Sequence, residues 1–238
     1  MGKGDARPEA GISRREAILM LGASVFGGRA LAQAQMPRPA CVVTPEQTEG
    51  PYFSDFMLKR SDIRLDPMDG IVKTGIPLAL TLHVQAVDGG RCSPLQGAIV
   101  DVWHCDASGA YSDAVDSEFD TRGKKFLRGY QVTDAGGAVR FTTIYPGSYP
   151  GRAVHVHFKV RTKSRSGRDA EFTSQLYFPD SITERVLASA PYARPGRQTL
   201  RNEGDGLFRR SGRSLMVEIA PAAGGGYNAS FDIGVAVV

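Results

Sequence analysis

Apolar and polar residues alternate along this chain in short runs. Leu78-Ala-Leu-Thr-Leu-His-Val84 alternates with a period of two, the pattern of a half-buried strand. His83 then faces away from Leu82 and Val84 and reads as a surface residue. Asp88-Gly89-Gly90 closes that strand with a turn. Ala98 to His104 is a second strand. Tyr130 to Thr133 and Ala138 to Thr142 flank Asp134-Ala-Gly-Gly137, a hairpin signature. Val154 to Val160, Thr173 to Phe178, Ser214 to Ile219 and Ser230 to Val237 continue the pattern. Only Ser181 to Ser189 reads as a helix, capped by Asp180 or Ser181. Residues 54–75 read as irregular, and the Gly-rich stretch Ala222 to Tyr227 as a turn. Many short strands between turn signals predict an all-β fold, an antiparallel β-sandwich with little helix.

Composition narrows this picture. With 42% hydrophobic and 23% charged residues the 238-residue chain is an ordinary globular protein, and 28 glycines and 14 prolines suit a fold rich in turns. The net charge is +4, but Lys3, Arg7, Arg14, Arg15 and Arg29 against Asp5, Glu9 and Glu16 put half of it in residues 1–32. No basic stripe is left for nucleic acid. Ser13-Arg14-Arg15-Glu16 precedes a weakly apolar run from Ala17 to Phe26, and Ala30-Leu31-Ala32 offers a cleavage site. That tripartite pattern predicts a twin-arginine signal over 1–32, read by the export machinery, and a mature protein in the periplasm or outside the cell. The apolar run is too short to span a bilayer, so no membrane is expected for the mature form. Residues 33–75 follow as an N-terminal arm, and 76–238 as the catalytic sandwich. In an oxidising compartment one reading pairs Cys41 with Cys92, tying the arm to the core with ~4 kcal/mol of loop entropy and leaving Cys105 as the buried odd one; the other reading is three free thiols.

The chemistry concentrates in Arg152-Ala-Val-His155-Val-His157-Phe158. On a strand, His155 and His157 face the same side and can converge on one ion. Two imidazoles alone suit zinc, copper or iron. One reading is therefore an exported zinc or copper hydrolase using His155 and His157, and another is an exported β-sandwich binding module. Tyr111, Tyr130, Tyr145 and Tyr149 stand nearby in sequence. A phenol ionises near pH 10, so only a strongly Lewis-acidic ion takes it as phenolate at neutral pH. Ferric iron meets that demand.

Several motifs in order carry a family resemblance. They are Thr44-Pro45 through Gly50-Pro51-Tyr52, Asp101-Val-Trp103 through Gly109-Ala-Tyr111-Ser112, Arg128-Gly-Tyr130, Ile144-Tyr-Pro146-Gly147-Ser-Tyr149, Arg152 to Phe158, and Gln175-Leu-Tyr177-Phe178. Together they resemble the intradiol ring-cleavage dioxygenases. The resemblance implies a non-haem Fe(3+) cofactor held by Tyr111, Tyr149, His155 and His157. It implies a small aromatic diol of the catechol type and O2 as substrates, and a cis,cis-muconate-type diacid as product. Tyr149 is implied to leave the metal and take a substrate proton, Arg152 to stabilise charge developing on the ring, and Gln175 to orient it. Gly50 and Pro51, with Arg152, are implied to bind the substrate, and Trp103 to pack behind the metal. Tyr130 and Tyr145 match no ligand position and read as structural.

Only Pro150 and Gly151 separate Tyr149 from Arg152, where the better-known catabolic members carry a longer segment. A short link implies an open pocket that accepts substituted or bulky catechols. The N-terminal helical region through which catechol-type members dimerise has no counterpart here, so no oligomeric state is implied. Both departures, with the export signal, resemble the secreted branch of the family.

Overall fold

The structure, a computed structural model, describes residues 1–2, 41–164, 166–194 and 199–236. The export signal lies, beyond Gly2, outside the described residues. The compact unit that carries the sheets runs from Pro39 to Val238.

In chain order the elements are β1 (Pro77–Asp88), β2 (Arg91–Pro94), β3 (Ile99–Trp103), β4 (Val115–Asp116), β5 (Phe119–Asp120), β6 (Arg128–Val132) and β7 (Ala138–Ile144). Then come β8 (His155–Lys163), β9 (Asp169–Tyr177), α1 (Asp180–Leu187), α2 (Gly206–Ser211), β10 (Glu218–Pro221) and β11 (Tyr227–Ala236). One sheet runs β10-β11-β1-β2, with β7 also on β1. One edge of β1 is shared by β7, along Pro77 to His83, and β2, along Gln85 to Asp88. The second sheet runs β6-β3-β8-β9, antiparallel throughout. A small hairpin joins β4 to β5.

The alternation in β1 sorts as expected: Leu78, Leu80, Leu82 and Val84 are buried. They belong to one core with Val139 and Phe141 of β7, Ile233 and Val235 of β11, Val100 and Val102 of β3, and Val156, Phe158 and Val160 of β8. Burial of such aliphatic and aromatic side chains contributes about 1.5–3 kcal/mol each. His83 is half-exposed and its Nδ1 lies 3.0 Å from Asp232 Oδ1, a surface pair as expected.

The even positions of β8 face this core, so His155, His157 and Lys159 project from the opposite face. The outer face of a sandwich is commonly wet. Here all three residues are buried. The arm covers them. The Gln47 N–H donates to the Thr173 carbonyl (3.0 Å), Ser174 Oγ to the Pro45 carbonyl (2.7 Å) and Gln175 Nε2 to the Thr48 carbonyl (2.8 Å). Lys159 pairs with Glu49 at 2.5 Å and Arg161 with Asp55 at 2.9 Å. At its base the arm is held by a Cys41–Cys92 disulfide, the bridged of the two readings, which closes a 51-residue separation.

Four details differ from the sequence expectation. The sandwich is antiparallel except where β11 runs parallel to β1. The Asp134–Gly137 turn forms, with the Gly137 N–H on the Asp134 carbonyl at 2.9 Å, but it is no hairpin within one sheet. It carries the chain from β6 in one sheet to β7 in the other. Gly137 has φ +75°, and a Cβ there would meet the Val84 carbonyl at 2.4 Å, which explains the glycine. Within the expected strand Ser214 to Ile219, residues 212–215 form a 3₁₀ turn and β10 begins at Glu218. Finally, α1 is not the only helix, and neither Asp180 nor Ser181 caps it. Pro179 stands at its N-cap. The short α2 is capped by Asp205, whose carboxylate accepts from the Leu207 and Phe208 N–H groups.

Candidate active site

Three neighbouring strands present the site on the covered outer face. In register, Trp103 of β3 stands beside His157 of β8, His157 beside Gln175 of β9, and His155 beside Tyr177. Tyr111 comes from the loop after β3, and Tyr149 from the loop before β8. These placements bring all four expected ligands together. His155 Nε2 lies 3.0 Å from His157 Nε2, 3.2 Å from the Tyr149 hydroxyl and 3.4 Å from the Tyr111 hydroxyl.

The arrangement is set from behind. The Nδ1–H of His155 donates to the Ala153 carbonyl at 2.7 Å, which leaves Nε2 as the bare lone pair. The Trp103 indole lies flat on the His157 ring, centroids 4.9 Å apart and planes 8° from parallel. Tyr52 stacks on Tyr111 at 4.5 Å and donates its hydroxyl to Asp116 at 2.6 Å. Gly50 has φ +75°, and a Cβ there would sit 3.4 Å from His157 Cε1. Pro51 is exposed in the turn that follows.

Burial dominates the electrostatics. It lowers the pKa of His155 to about 3, with Arg152 adding to the effect, and that of His157 far below its ordinary value. Both imidazoles are therefore neutral near pH 7. Burial also holds the Tyr111 and Tyr149 phenols well above their ordinary value, while Arg152 pulls each of them back down. His157 Nδ1 is buried with no hydrogen-bond partner, and its Nε2 faces the bare Nε2 of His155 at 3.0 Å. That separation is what two nitrogens adopt across one ion with bonds about 2.1 Å long. Two imidazoles and two phenols thus fit a metal, and a strongly Lewis-acidic one. No group of three or more His, Cys, Asp or Glu residues suited to a metal occurs among the described residues.

Arg152 borders the cluster. Its Nη1 is 3.4 Å from His155 Nε2, and its Nη2 donates to Gln175 Oε1 at 2.6 Å. Burial works against its charge, but Tyr149 and Asp205 raise its pKa above the ordinary value. Asp205, Tyr177, Gln47 and Tyr52 are parts of the site to which sequence reasoning gave no role, although Tyr52 and Tyr177 stand in the motifs that carry the resemblance. Tyr177 shares a strand face with Gln175 and could have been found by alternation. Asp205 sits in Asn-Glu-Gly-Asp-Gly, which carries no such signal. Tyr130 and Tyr145 lie outside the cluster, as expected; Tyr145 is buried against Thr183, hydroxyl to Oγ1 2.7 Å.

A cleft of about 200 Å³ opens beside Tyr149, walled by Tyr52, Phe119 and Pro150 and edged by Asp116. A larger cavity of about 490 Å³ lies between the arm, β2 and β11, and none of the four candidate ligands lines it. Of these two, the smaller is the one that touches a candidate ligand.

A β-sandwich whose covered face gathers two phenols, two imidazoles and a fixed guanidinium is a scaffold with a candidate metal centre. Residues 48–205 match the model of the Dioxygenase family, and the chain belongs to that family. It is similar to an intradiol ring-cleavage dioxygenase from Tetranychus urticae, with 30% identity, 83% of this chain and 96% of that one covered, and a TM-score of 0.71. The dioxygenase domain of a carbohydrate-binding fusion protein from Streptomyces sp. SirexAA-E shares 31% identity over 83% of this chain and all of that one, with a TM-score of 0.59. Among curated proteins, the protocatechuate 3,4-dioxygenase beta chain of Burkholderia cepacia is 34% identical over 131 residues, 48% of this chain and 54% of that one. The chain spans about half the length of the curated relatives it matches.

Proposed function

We propose that this protein is a non-haem Fe(III)-dependent intradiol dioxygenase, opening a catechol-type ring with both atoms of O2 to a cis,cis-muconate-type diacid. One observation carries the reading: Tyr111, Tyr149, His155 and His157 converge within 3.4 Å of one buried nitrogen. These four residues would hold the iron. When bound, the ion supplies the positive charge that ionises phenols and makes a bound diol electron-rich toward O2.

The chain's own groups do the rest. Tyr149 lines the cleft, so its oxygen, once ionised beside the metal, would be the base that meets an incoming diol and receives its proton. The Arg152 guanidinium, permanently charged and fixed on three sides, stabilises negative charge that grows on the ring. Gln175 holds Arg152 Nη2 and is itself anchored on the Thr48 carbonyl. Tyr111, stacked under Tyr52 and fully buried, remains in place throughout.

The two-residue link from Tyr149 to Arg152 leaves Pro150 at the edge of the cleft. This supports a site open to substituted and bulky catechols. Protein purified from iron-replete cells should be red-brown, hold about one iron per chain by elemental analysis, and release ring-opened diacid. Bulky and simple catechols should turn over at comparable rates. Colourless, iron-free protein without cleavage would overturn the reading, and activity confined to unsubstituted catechol would overturn the open site.

Export by the twin-arginine route, to the periplasm or the medium, is the localisation that Arg14, Arg15 and the Ala30-Leu31-Ala32 site support. The Cys41–Cys92 disulfide suits an oxidising compartment. No helix among the described residues is long and apolar enough to cross a membrane. Replacing Arg14 and Arg15 by lysine is expected to retain the protein in the cytoplasm on fractionation; unchanged export would count against this route.

A further inference from the structure

Asp205 is 1% exposed, and no step of the proposed chemistry uses it. Its two carboxylate oxygens have different partners. Oδ1 accepts from the backbone N–H groups of Leu207 (2.7 Å) and Phe208 (3.3 Å) and so caps α2. Oδ2 accepts from Arg152 Nε at 2.8 Å and from the Ala153 N–H at 2.9 Å. The second contact matters because the Ala153 carbonyl is the acceptor that orients His155.

A guanidinium is planar, so fixing two of its corners fixes the third. Asp205 holds Nε and Gln175 holds Nη2. Nη1 is then directed at the point where the ligands converge, 3.4 Å from His155 Nε2. Asp205 is in turn immobilised by α2, and α2 by the arm. Gln47 Nε2 donates to the Leu207 carbonyl (3.1 Å) and to Ser211 Oγ (3.0 Å), while its Oε1 accepts from the Tyr177 hydroxyl (2.8 Å). Capping a six-residue helix needs only one side-chain oxygen, which serine supplies. The second oxygen, buried, serves the Arg152 guanidinium and the Ala153 N–H together.

We propose that Asp205 is the positioning residue for Arg152, aiming its Nη1 into the metal-binding cluster and locking that aim to helix α2. The inference rests on the intradiol reading, in which Arg152 acts on the substrate.

Asp205→Ser separates the two duties, because it keeps a capping oxygen and removes the carboxylate. His155 keeps its own bond to the Ala153 carbonyl in this variant, so iron content and colour should stay close to those of the unaltered protein, while kcat for catechol falls about 10²-fold, the scale of loss from a small misplacement of a catalytic group. Arg152→Ala combined with Asp205→Ser should be no slower than Arg152→Ala alone, since both remove one interaction. In the metal-free full-length protein the Arg152 Nε–H nuclear magnetic resonance signal, protected by the ion pair, should be lost to solvent exchange in Asp205→Ser. Asp205→Asn, of equal volume, serves if the serine variant does not fold. An unchanged kcat in an otherwise active enzyme, multiplied losses in the double variant, or a persistent Nε–H signal overturns the proposal. If the unaltered protein cleaves no catechol, the intradiol reading falls, and the resonance measurement still decides whether Asp205 holds Arg152.

Discussion

His155→Ala is expected to yield a colourless protein without iron and without measurable ring cleavage. His155 Nε2 is the atom on which the other three candidate ligands and Arg152 all close, at 3.0 to 3.4 Å. Altering a residue that merely supports a metal ligand costs about 10–100-fold in affinity, so loss of the ligand itself costs more. Alanine also leaves a cavity at a position that is 2% exposed, with the Ala153 carbonyl deprived of its donor. Elemental analysis and the visible spectrum check the metal, and a thermal melt checks that the sandwich persists. A variant that keeps stoichiometric iron and its colour would remove His155 from the ligand set.

Tyr149→Phe is expected to behave differently, keeping the iron and losing the turnover. Three donors remain, and the ring keeps its edge contacts with Tyr52 and Tyr111, at 6.2 and 5.5 Å between centroids. What disappears is the oxygen of a residue that lines the cleft, the proposed acceptor of the substrate proton. Loss of such a base costs about 10²–10⁴-fold, and kcat should fall within that range. The absorption band should weaken, because one of two phenolates is gone. Steady-state kinetics with catechol, beside iron analysis, distinguishes this from a folding defect. Unaltered turnover would mean that Tyr149 takes no proton and that another group serves as the base.

The strands, and the placing of His155 and His157 on one face, were legible in the sequence because both depend on local spacing, whereas Tyr111 and Tyr149 were singled out only by the family resemblance. Leu78 to Val84 shows its buried face by alternation, and His155 and His157 share a face for the same reason. The cover over that face was not legible. An alternating strand normally turns its second face to water, whereas β8 is buried on both faces from His155 to Val160. The covering contacts join residues more than a hundred positions apart, such as Gln175 with Thr48. Asp205 was hidden for a related reason: it meets Arg152 across 53 residues, and the helix it caps has only six. The Asp134–Gly137 turn was recognised, but its local chemistry does not say whether the strands it joins pair or part. The parallel match of β11 to β1 joins residues near opposite ends of the sandwich, beyond the reach of any local pattern.

Trp103 is the only tryptophan of the chain, and its indole lies parallel to His157 at 4.9 Å. The indole emission of the whole molecule therefore originates at one spot, one ring away from the candidate metal cluster. The proposed coloured ion would drain the excited indole there, and its loss would leave the indole brighter. The protein would then carry its own optical gauge of occupancy, readable in a cuvette without substrate, oxygen or label.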